Sequence, residues 1–165
     1  MVWLRLFHIV AGAFWVGSAA YDAFFVMPTA RAAGPEGGRF VGRLMQRMGP
    51  AMGIGMLLTV IPGLMMYGRL SAGFDKAWVT SPQGLTLGTG AVVTLLAVVL
   101  GIAVNVPVRG KMVALRKGLE TQGGAPDPAA AAQLARLQAR LERGAQLVAV
   151  LLLVAAGAMA VARYL

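Results

Sequence analysis

"LRLFHIVAGAFWVGSAAYDAFF", residues 4–25, is almost entirely apolar, yet it contains the only histidine of the chain, His8, and an aspartate, Asp22. A helix that crosses the apolar core of a bilayer, about 30 Å thick, needs about 20 apolar residues in succession. This stretch is longer than the apolar core of a signal peptide, about 7–15 residues, so it predicts a membrane span. Three more stretches of the chain are also apolar over the length of a helix, so the same interpretation extends to the whole fold.

Composition supports the same conclusion. Apolar residues make up 58% of the 165 residues and charged residues only 13%, which is rare in soluble domains. Apolar runs of helix length indicate an α-helical bundle, since barrel strands would alternate over about ten residues. The predicted fold is an all-α, polytopic four-helix membrane bundle in one domain, 1–165. Its spans are expected at about 3–28, 50–68, 85–108 and 144–164.

The distribution of basic residues predicts how the bundle is oriented. Eleven of the fifteen lysines and arginines fall in the first and third connections between spans: Arg31, Arg39, Arg43, Arg47, Arg109, Lys111, Arg116, Lys117, Arg136, Arg140 and Arg143. Cytoplasmic loops carry the excess of Lys and Arg, so both connections are expected in the cytoplasm, with the protein in a bacterial inner (plasma) membrane and both termini outside. The net charge of +9 is therefore interpreted as a topology signal, and no nucleic-acid partner is expected.

The third connection has a helical pattern of its own. Apolar residues recur at helical spacing in both of its halves, 108–120 and 129–147. The stretch 121–128 between them breaks the pattern, and Asp127 followed by Pro128 is typical of an N-cap and a first helical residue. Spans three and four are therefore expected to extend into the cytoplasm as an antiparallel helical hairpin. This hairpin either only joins the two spans or meets anionic lipid head groups or a partner protein.

Spacing also predicts which face of the first helix is functional. His8, Trp15 and Asp22 are seven residues apart, and a heptad drifts by only about 20° on a helix, so the three share a face. Small residues on that face, Gly12 among them, let a neighbouring helix or a flat ligand approach closely. We expect this face to point into the bundle. His8 and Asp22 are about 21 Å apart along the axis, so they cannot share one small site.

Two readings stay open for each ionisable side chain. His8 is either a ligand of a metal or haem iron, or a histidine that hydrogen-bonds near the outer interface. Asp22 is either a proton-handling carboxylate or the partner of an arginine. The ion pair is favoured, because Arg31 and the other arginines of the first connection lie on the same side of the membrane.

A stripe of methionines offers a different ligand set. The four are Met45, Met48, Met52 and Met56, spaced for one face of a helix. Thioethers suit Cu(I), so His8, Met52 and Met56 are the candidate ligands if the protein binds copper. Pro50 lies within the stripe, and a helix that starts or kinks there would split it. The alternative is that these methionines fill apolar gaps.

Three motifs carry a resemblance to a known family. They are "FHIVAGAFWVGSAAYDAFFVMPTAR" (7–31), with His8, Trp15, Gly17, Pro28 and Arg31, then "TVIPGLMMYGRL" (59–70) and the closing "MAVARYL" (159–165). With these motifs the chain resembles, in outline and over its whole length, the CopD-like group of small four-helix membrane proteins. That group includes copper-resistance D domains and HemJ-type protoporphyrinogen oxidases.

The resemblance implies a role for His8. In HemJ-type enzymes the histidine of the first helix is thought to hold haem b, and in the copper-linked branch such a histidine and methionines would contact the metal. This chain departs from the pattern, because it has no second histidine and no lysine inside the third span. Haem held by one chain would then be five-coordinate, ligated by His and Met, or completed by His8 of a second chain in a homodimer.

The leading functional prediction is therefore binding of haem b through His8, with Gly12 and Trp15 beside the cofactor, in a membrane protein of redox or electron-transfer function. An oxidoreductase activity is possible, but no catalytic residue is assigned, since the chain lacks the HExxH and phosphate-loop motifs of soluble enzymes. Copper handling or transport across the membrane is one alternative. The other is a cofactor-free accessory subunit of a larger membrane complex.

Overall fold

The computed structural model describes residues 1–122 and 127–165, and every regular element in these residues is a helix. In chain order the elements are α1 (Val2–Tyr21), a first π-helical segment (Asp22–Val26), α2 (Met27–Ala32), α3 (Gly34–Leu70), α4 (Lys76–Val79), α5 (Pro82–Leu100), a second π-helical segment (Gly101–Asn105), α6 (Val106–Gln122), α7 (Pro128–Val161) and a 3₁₀ turn (Ala162–Tyr164). Each π-helical segment continues one helix into the next. The described chain therefore forms four long helical rods.

The four rods are long and apolar enough to cross a membrane: Val2–Ala32, Gly34–Leu70, Pro82–Leu119 and Pro128–Tyr164. They confirm the expectation of four long apolar helices, each of which includes one of the four stretches expected from the sequence. All four are longer than the roughly 20 residues that a bilayer core requires. Each rod therefore has helical turns to spare beyond its apolar segment.

The expectation that the basic residues lie in loops between the spans is wrong for the first connection. The second rod, α3, begins at Gly34, so Arg39, Arg43 and Arg47 lie on its first turns and are exposed. Arginine is a good helix former, and its long side chain reaches polar surroundings from a helix as easily as from a loop. The helix therefore extends on the N-terminal side of the apolar segment.

The helical hairpin between the third and fourth spans is confirmed in the described residues. The third rod continues as α6 to Gln122, and α7 begins at Pro128 with Asp127 as its N-cap. The Asp127 Oδ1 accepts a hydrogen bond from the Ala129 N–H at 3.0 Å. Residues 123–126 of the expected breaker lie outside the described residues. The two arms pack through a cluster in which Val108, Met112 and Leu141 are buried.

The rods associate as two pairs that share one core. The first rod packs mainly on α3, and α5 packs mainly on α7. Trp15 joins the pairs: its side chain is only 6% exposed and lies in a buried cluster with Ala97 of α5 and Leu152 of α7. In a membrane, where no water drives apolar helices together, such close packing is what holds a bundle in one arrangement.

Neither proline of the second span ends the helix. The α3 helix runs through Pro50 and Pro62, although a proline inside a helix removes one backbone hydrogen bond. The methionine stripe is therefore not split at Pro50: Met45, Met48, Met52 and Met56 are all half-buried along one face of α3.

Candidate functional site

The functional face expected on the first helix points into the bundle. Trp15 and Asp22 are each 6% exposed, and His8 is half-buried. Phe14, one position before Trp15, is 47% exposed and lines the outer side of the contact between α1 and α3. The heptad spacing therefore identified the buried face correctly. It could not identify what each side chain on that face contacts.

His8 makes a hydrogen bond to the backbone of α3. Its Nδ1 lies 2.7 Å from the carbonyl oxygen of Thr59. Since a carbonyl can only accept, this contact places the proton of a neutral imidazole on Nδ1 and leaves the Nε2 lone pair available. In the described residues Nε2 has no hydrogen-bond partner. A backbone carbonyl that holds one ring nitrogen while the other is free is the usual support of a histidine ligand in metal sites.

Glycines let α1 and α3 approach closely at this hydrogen bond. A Cβ placed on Gly63 would come within 2.9 Å of His8 Cε1 and 3.0 Å of His8 Nδ1, so only glycine leaves room for the imidazole there. One turn further along α1, Gly12 faces the Thr59 side chain, and an added Cβ would lie 3.4 Å from the Thr59 Cγ2. Gly12 thus has a packing role at the crossing of the two helices.

The candidate copper ligands lie at a different level of the bundle from His8. Met52 and Met56 pack against the cluster that contains Trp15. Gly55, beside Met56, faces Trp15 Cβ, whereas Gly63 faces His8. Met56 lies three residues before Thr59, whose carbonyl His8 contacts, and seven before Gly63, so about 5–10 Å along the axis separate it from the level of His8, and Met52 lies one turn further away. In the described residues neither methionine sulfur is hydrogen-bonded to His8.

An apolar groove of about 520 Å³ follows the outer side of the contact between α1 and α3. Its lining residues come from both helices: Leu6, Phe7, Val10, Ala11, Phe14, Ala51, Ile54, Gly55 and Leu58. His8 does not line this groove, because it lies on the inward face of α1. The groove is thus a surface feature separate from the histidine.

The ion pair expected between Asp22 and an arginine of the first connection does not form with Arg31. The Arg31 Nη1 instead donates to the Glu142 Oε2 of α7 at 2.9 Å. The reason is position: Arg31 lies in α2, more than two turns beyond Asp22, where the buried Glu142 is within its reach. The charged group that acts on Asp22 is Arg109 of the third connection.

Two buried oxygens lack hydrogen-bond partners in the described residues: Asp22 Oδ1 and Asn105 Oδ1. Asp22 begins the first π-helical segment and Asn105 ends the second. Sequence reasoning gave Asn105 no functional role, and it did not consider Glu142. The sequence contained a signal for each residue. Asn105 is a lone amide in an apolar stretch and Glu142 is a lone acid among arginines, and both kinds of side chain need partners.

No family model matches the chain, and neither a curated protein nor a solved structure matches it. The resemblance to the CopD-like group therefore stays a prediction from the sequence motifs.

Proposed function

We propose that the protein binds haem b through His8 and serves a redox or electron-transfer function in a membrane. The observation that carries the proposal is the hydrogen bond between His8 Nδ1 and the Thr59 carbonyl. It orients the ring and leaves Nε2 with a lone pair and no partner among the described residues. The imidazole therefore fits the nitrogen ligand that haem iron would take from this chain.

Haem is favoured over copper by the positions of the methionines. A Cu(I) site would need two or three soft ligands around one point. Along α3, Met56 is about 5–10 Å from the level of His8 and Met52 one turn further, and both methionines already pack around Trp15. Haem iron needs only one nitrogen ligand from this chain, because the porphyrin supplies four.

The residues around His8 have supporting roles in this proposal. Thr59 holds the imidazole through its carbonyl, and Gly63 makes room for the ring. Bound haem would supply reversible one-electron chemistry at its iron. Gly12 and Trp15 act indirectly, since Gly12 sets the approach of α3 to α1 and Trp15 fixes both helices against α5 and α7.

The surroundings proposed for the protein follow from its charge distribution. The basic ends of the rods would face the cytoplasm of a bacterial cell, with both termini on the other side of the inner membrane. His8 would then lie toward the outer face. A homodimer is the arrangement that would let a second His8 complete the iron coordination, and a larger membrane complex would supply the redox partner.

Removing the imidazole tests the proposal directly. We expect the protein, purified in detergent after expression with ample haem, to give a b-type spectrum in the dithionite-reduced minus oxidised difference. We expect His8→Ala to lose that spectrum, because no other residue of the chain supplies an imidazole. Metal analysis of the same samples should find iron in the wild type and little in the variant.

Other results would redirect or overturn the proposal. Bound copper instead of iron would favour copper handling. A colourless, metal-free wild type would favour the cofactor-free accessory subunit. If haem is found, its spin state reports the sixth ligand. A low-spin spectrum that becomes high-spin on dilution to monomers would indicate a second His8 across a dimer.

A glycine substitution tests whether the position of the imidazole matters. In Gly63→Ala the new methyl would crowd His8, so the ring must turn and its hydrogen bond to Thr59 is lost. We expect the affinity for haem to fall about fivefold, corresponding to about 1 kcal/mol for one hydrogen bond, and occupancy to fall with it when haem is limiting. Gly53→Ala is the matched control on the same helix, because no described residue lies within 4 Å of its added Cβ. Equal haem occupancy in both variants would contradict the role assigned to Gly63.

A further inference from the structure

The end of the bundle opposite His8 has an unusual polar feature. The Asp22 side chain is 6% exposed, and its Oδ1 is buried without a hydrogen-bond partner among the described residues. The Asn105 Oδ1 is in the same situation, pressed against Gly144 of α7. Both oxygens are acceptors, so neither can satisfy the other. A buried acceptor without a donor destabilises the protein, and more so if it is charged.

The two oxygens lie at the same depth in the bundle. Met27 and Val108 pack in one cluster around Leu141 of α7. Asp22 precedes Met27 by five residues and Asn105 precedes Val108 by three, and both rods run in the same direction. Both side chains therefore lie about 5–8 Å from that cluster toward the bundle centre. Both π-helical segments pack against α7.

The backbone at both positions is irregular in the same way. The Met27 N–H donates to the Asp22 carbonyl and the Val106 N–H to the Gly101 carbonyl, each across five residues. Such π-helical turns inside α-helices occur frequently at functional sites. Here one π-helical turn begins at Asp22, whose carboxyl oxygen lacks a hydrogen-bond partner in the described residues, and the other ends at Asn105, whose amide oxygen lacks one too.

The charged groups around Asp22 leave its carboxyl without an ion-pair partner. Arg109 of α6 acts on it electrostatically, but no salt bridge to Asp22 forms in the described residues. Arg31 of α2 and Glu142 of α7 neutralise each other. Gln146 lies one turn from Glu142 on the same side of α7 and is half-buried, but it carries no charge. Neither the helices packed against Asp22 nor α6 therefore supplies a cation bonded to it.

We propose that Asp22 is a proton-exchanging carboxyl at the basic end of the bundle and that Asn105 accepts the hydrogen bond of its protonated form. One proton turns the carboxyl oxygen from an acceptor into a donor, so a single binding event satisfies both orphaned oxygens. The proton comes from water at the basic end and returns there when the carboxyl ionises. Arg109 is the charge that compensates the ionised form. The proposal does not depend on haem at His8, which lies about 21 Å away along the helix axis.

Carbodiimide labelling tests the protonated state of the carboxyl. N,N′-dicyclohexylcarbodiimide dissolves in the bilayer, and a protonated carboxyl adds across its C=N bond to give an O-acylisourea that rearranges to a stable N-acylurea. The full-length protein in liposomes is treated between about pH 4 and 9, and the adduct is located by peptide mass spectrometry. We expect labelling at Asp22 with a rate that falls about tenfold per pH unit above its midpoint.

Two variants make the assignment specific. Asp22→Asn should lose the adduct, whereas Glu142→Gln should keep it, because Glu142 is held by Arg31 and is not the proposed site. The exchange variant Asp22→Asn with Asn105→Asp should move the adduct to position 105. Absence of the adduct from that position would overturn the role of Asn105.

An infrared spectrum provides a second measurement that does not depend on access of the reagent. The acid-minus-alkaline difference spectrum should contain the C=O band of a protonated carboxyl, and Asp22→Asn should lose it. If the wild type shows neither adduct nor band, the proposal is overturned. If Na⁺ slows labelling at constant pH more than K⁺ does, a metal cation occupies the site and the proton assignment is wrong.

Discussion

Trp15→Ala should lower the free energy of unfolding by about 3 kcal/mol. This is the low end of the range for aromatic-to-alanine changes in soluble cores, because lipid removes much of the transfer term but not the cavity term. The indole packs against Ala97 and Leu152 and joins the two helix pairs. For a protein of this size the loss corresponds to a drop of roughly 6–12 °C in the thermal midpoint in detergent.

The control for this measurement is on the same helix. Trp3 is 71% exposed, so Trp3→Ala removes an aromatic side chain without opening a cavity, and we expect its midpoint to change by less than about 2 °C. If Trp15→Ala and Trp3→Ala have equal effects, Trp15 does not join the pairs as described. If Trp15→Ala also lowers haem occupancy, it should do so through loss of the fold, in step with the thermal midpoint.

Gly37→Ala should lower stability by about 3 kcal/mol, the upper end of the usual cost of overpacking. The turn between α2 and α3 is so tight that Gly37 lies against the backbone carbonyl of Ala30, and an added Cβ would overlap its oxygen. Backbone cannot move aside as the end of a flexible side chain can. The two helices must therefore separate or the turn at Gly34 must open. Thermal unfolding in detergent measures the effect.

A substitution five residues further along α3 should have the opposite sign. In the part of the chain that the structure describes, no atom lies within 4 Å of a Cβ added to Gly42, and alanine is favoured over glycine in a helix by about 1 kcal/mol. Gly42→Ala is therefore expected to be neutral or to stabilise the protein. A destabilised Gly42→Ala, or a Gly37→Ala of wild-type stability, would contradict the geometry of this turn.

Local patterns in the sequence determined much of the fold. The four apolar stretches predicted the number of long helices and their apolar segments, because a span of a bilayer core has a minimum apolar length. Heptad spacing placed Trp15 and Asp22 on the buried face of the first rod, and Asp127 with Pro128 located the start of α7. These properties depend on residues within a few turns of each other. A single sequence shows such relations directly.

Local patterns did not predict where α3 begins. The apolar length of the second span predicts a start near residue 50, but α3 begins at Gly34. Arginine is compatible with both helix and loop, so the sequence between Gly34 and the apolar segment did not distinguish them. The tight turn that ends α2 decided the outcome.

The contacts of the candidate side chains could be read only from the packed helices. His8 bonds to a carbonyl 51 residues away and Arg31 to a carboxylate 111 residues away, separations over which helical periodicity gives no information. The same holds for Asp22 and Asn105, which lie at one depth only because their rods pack on α7. The sequence by itself determined which residues face the interior of the bundle. Which of them meet depends on the rotation and offset of whole helices, and those are set by close packing at residues such as Gly63, Gly144 and Trp15.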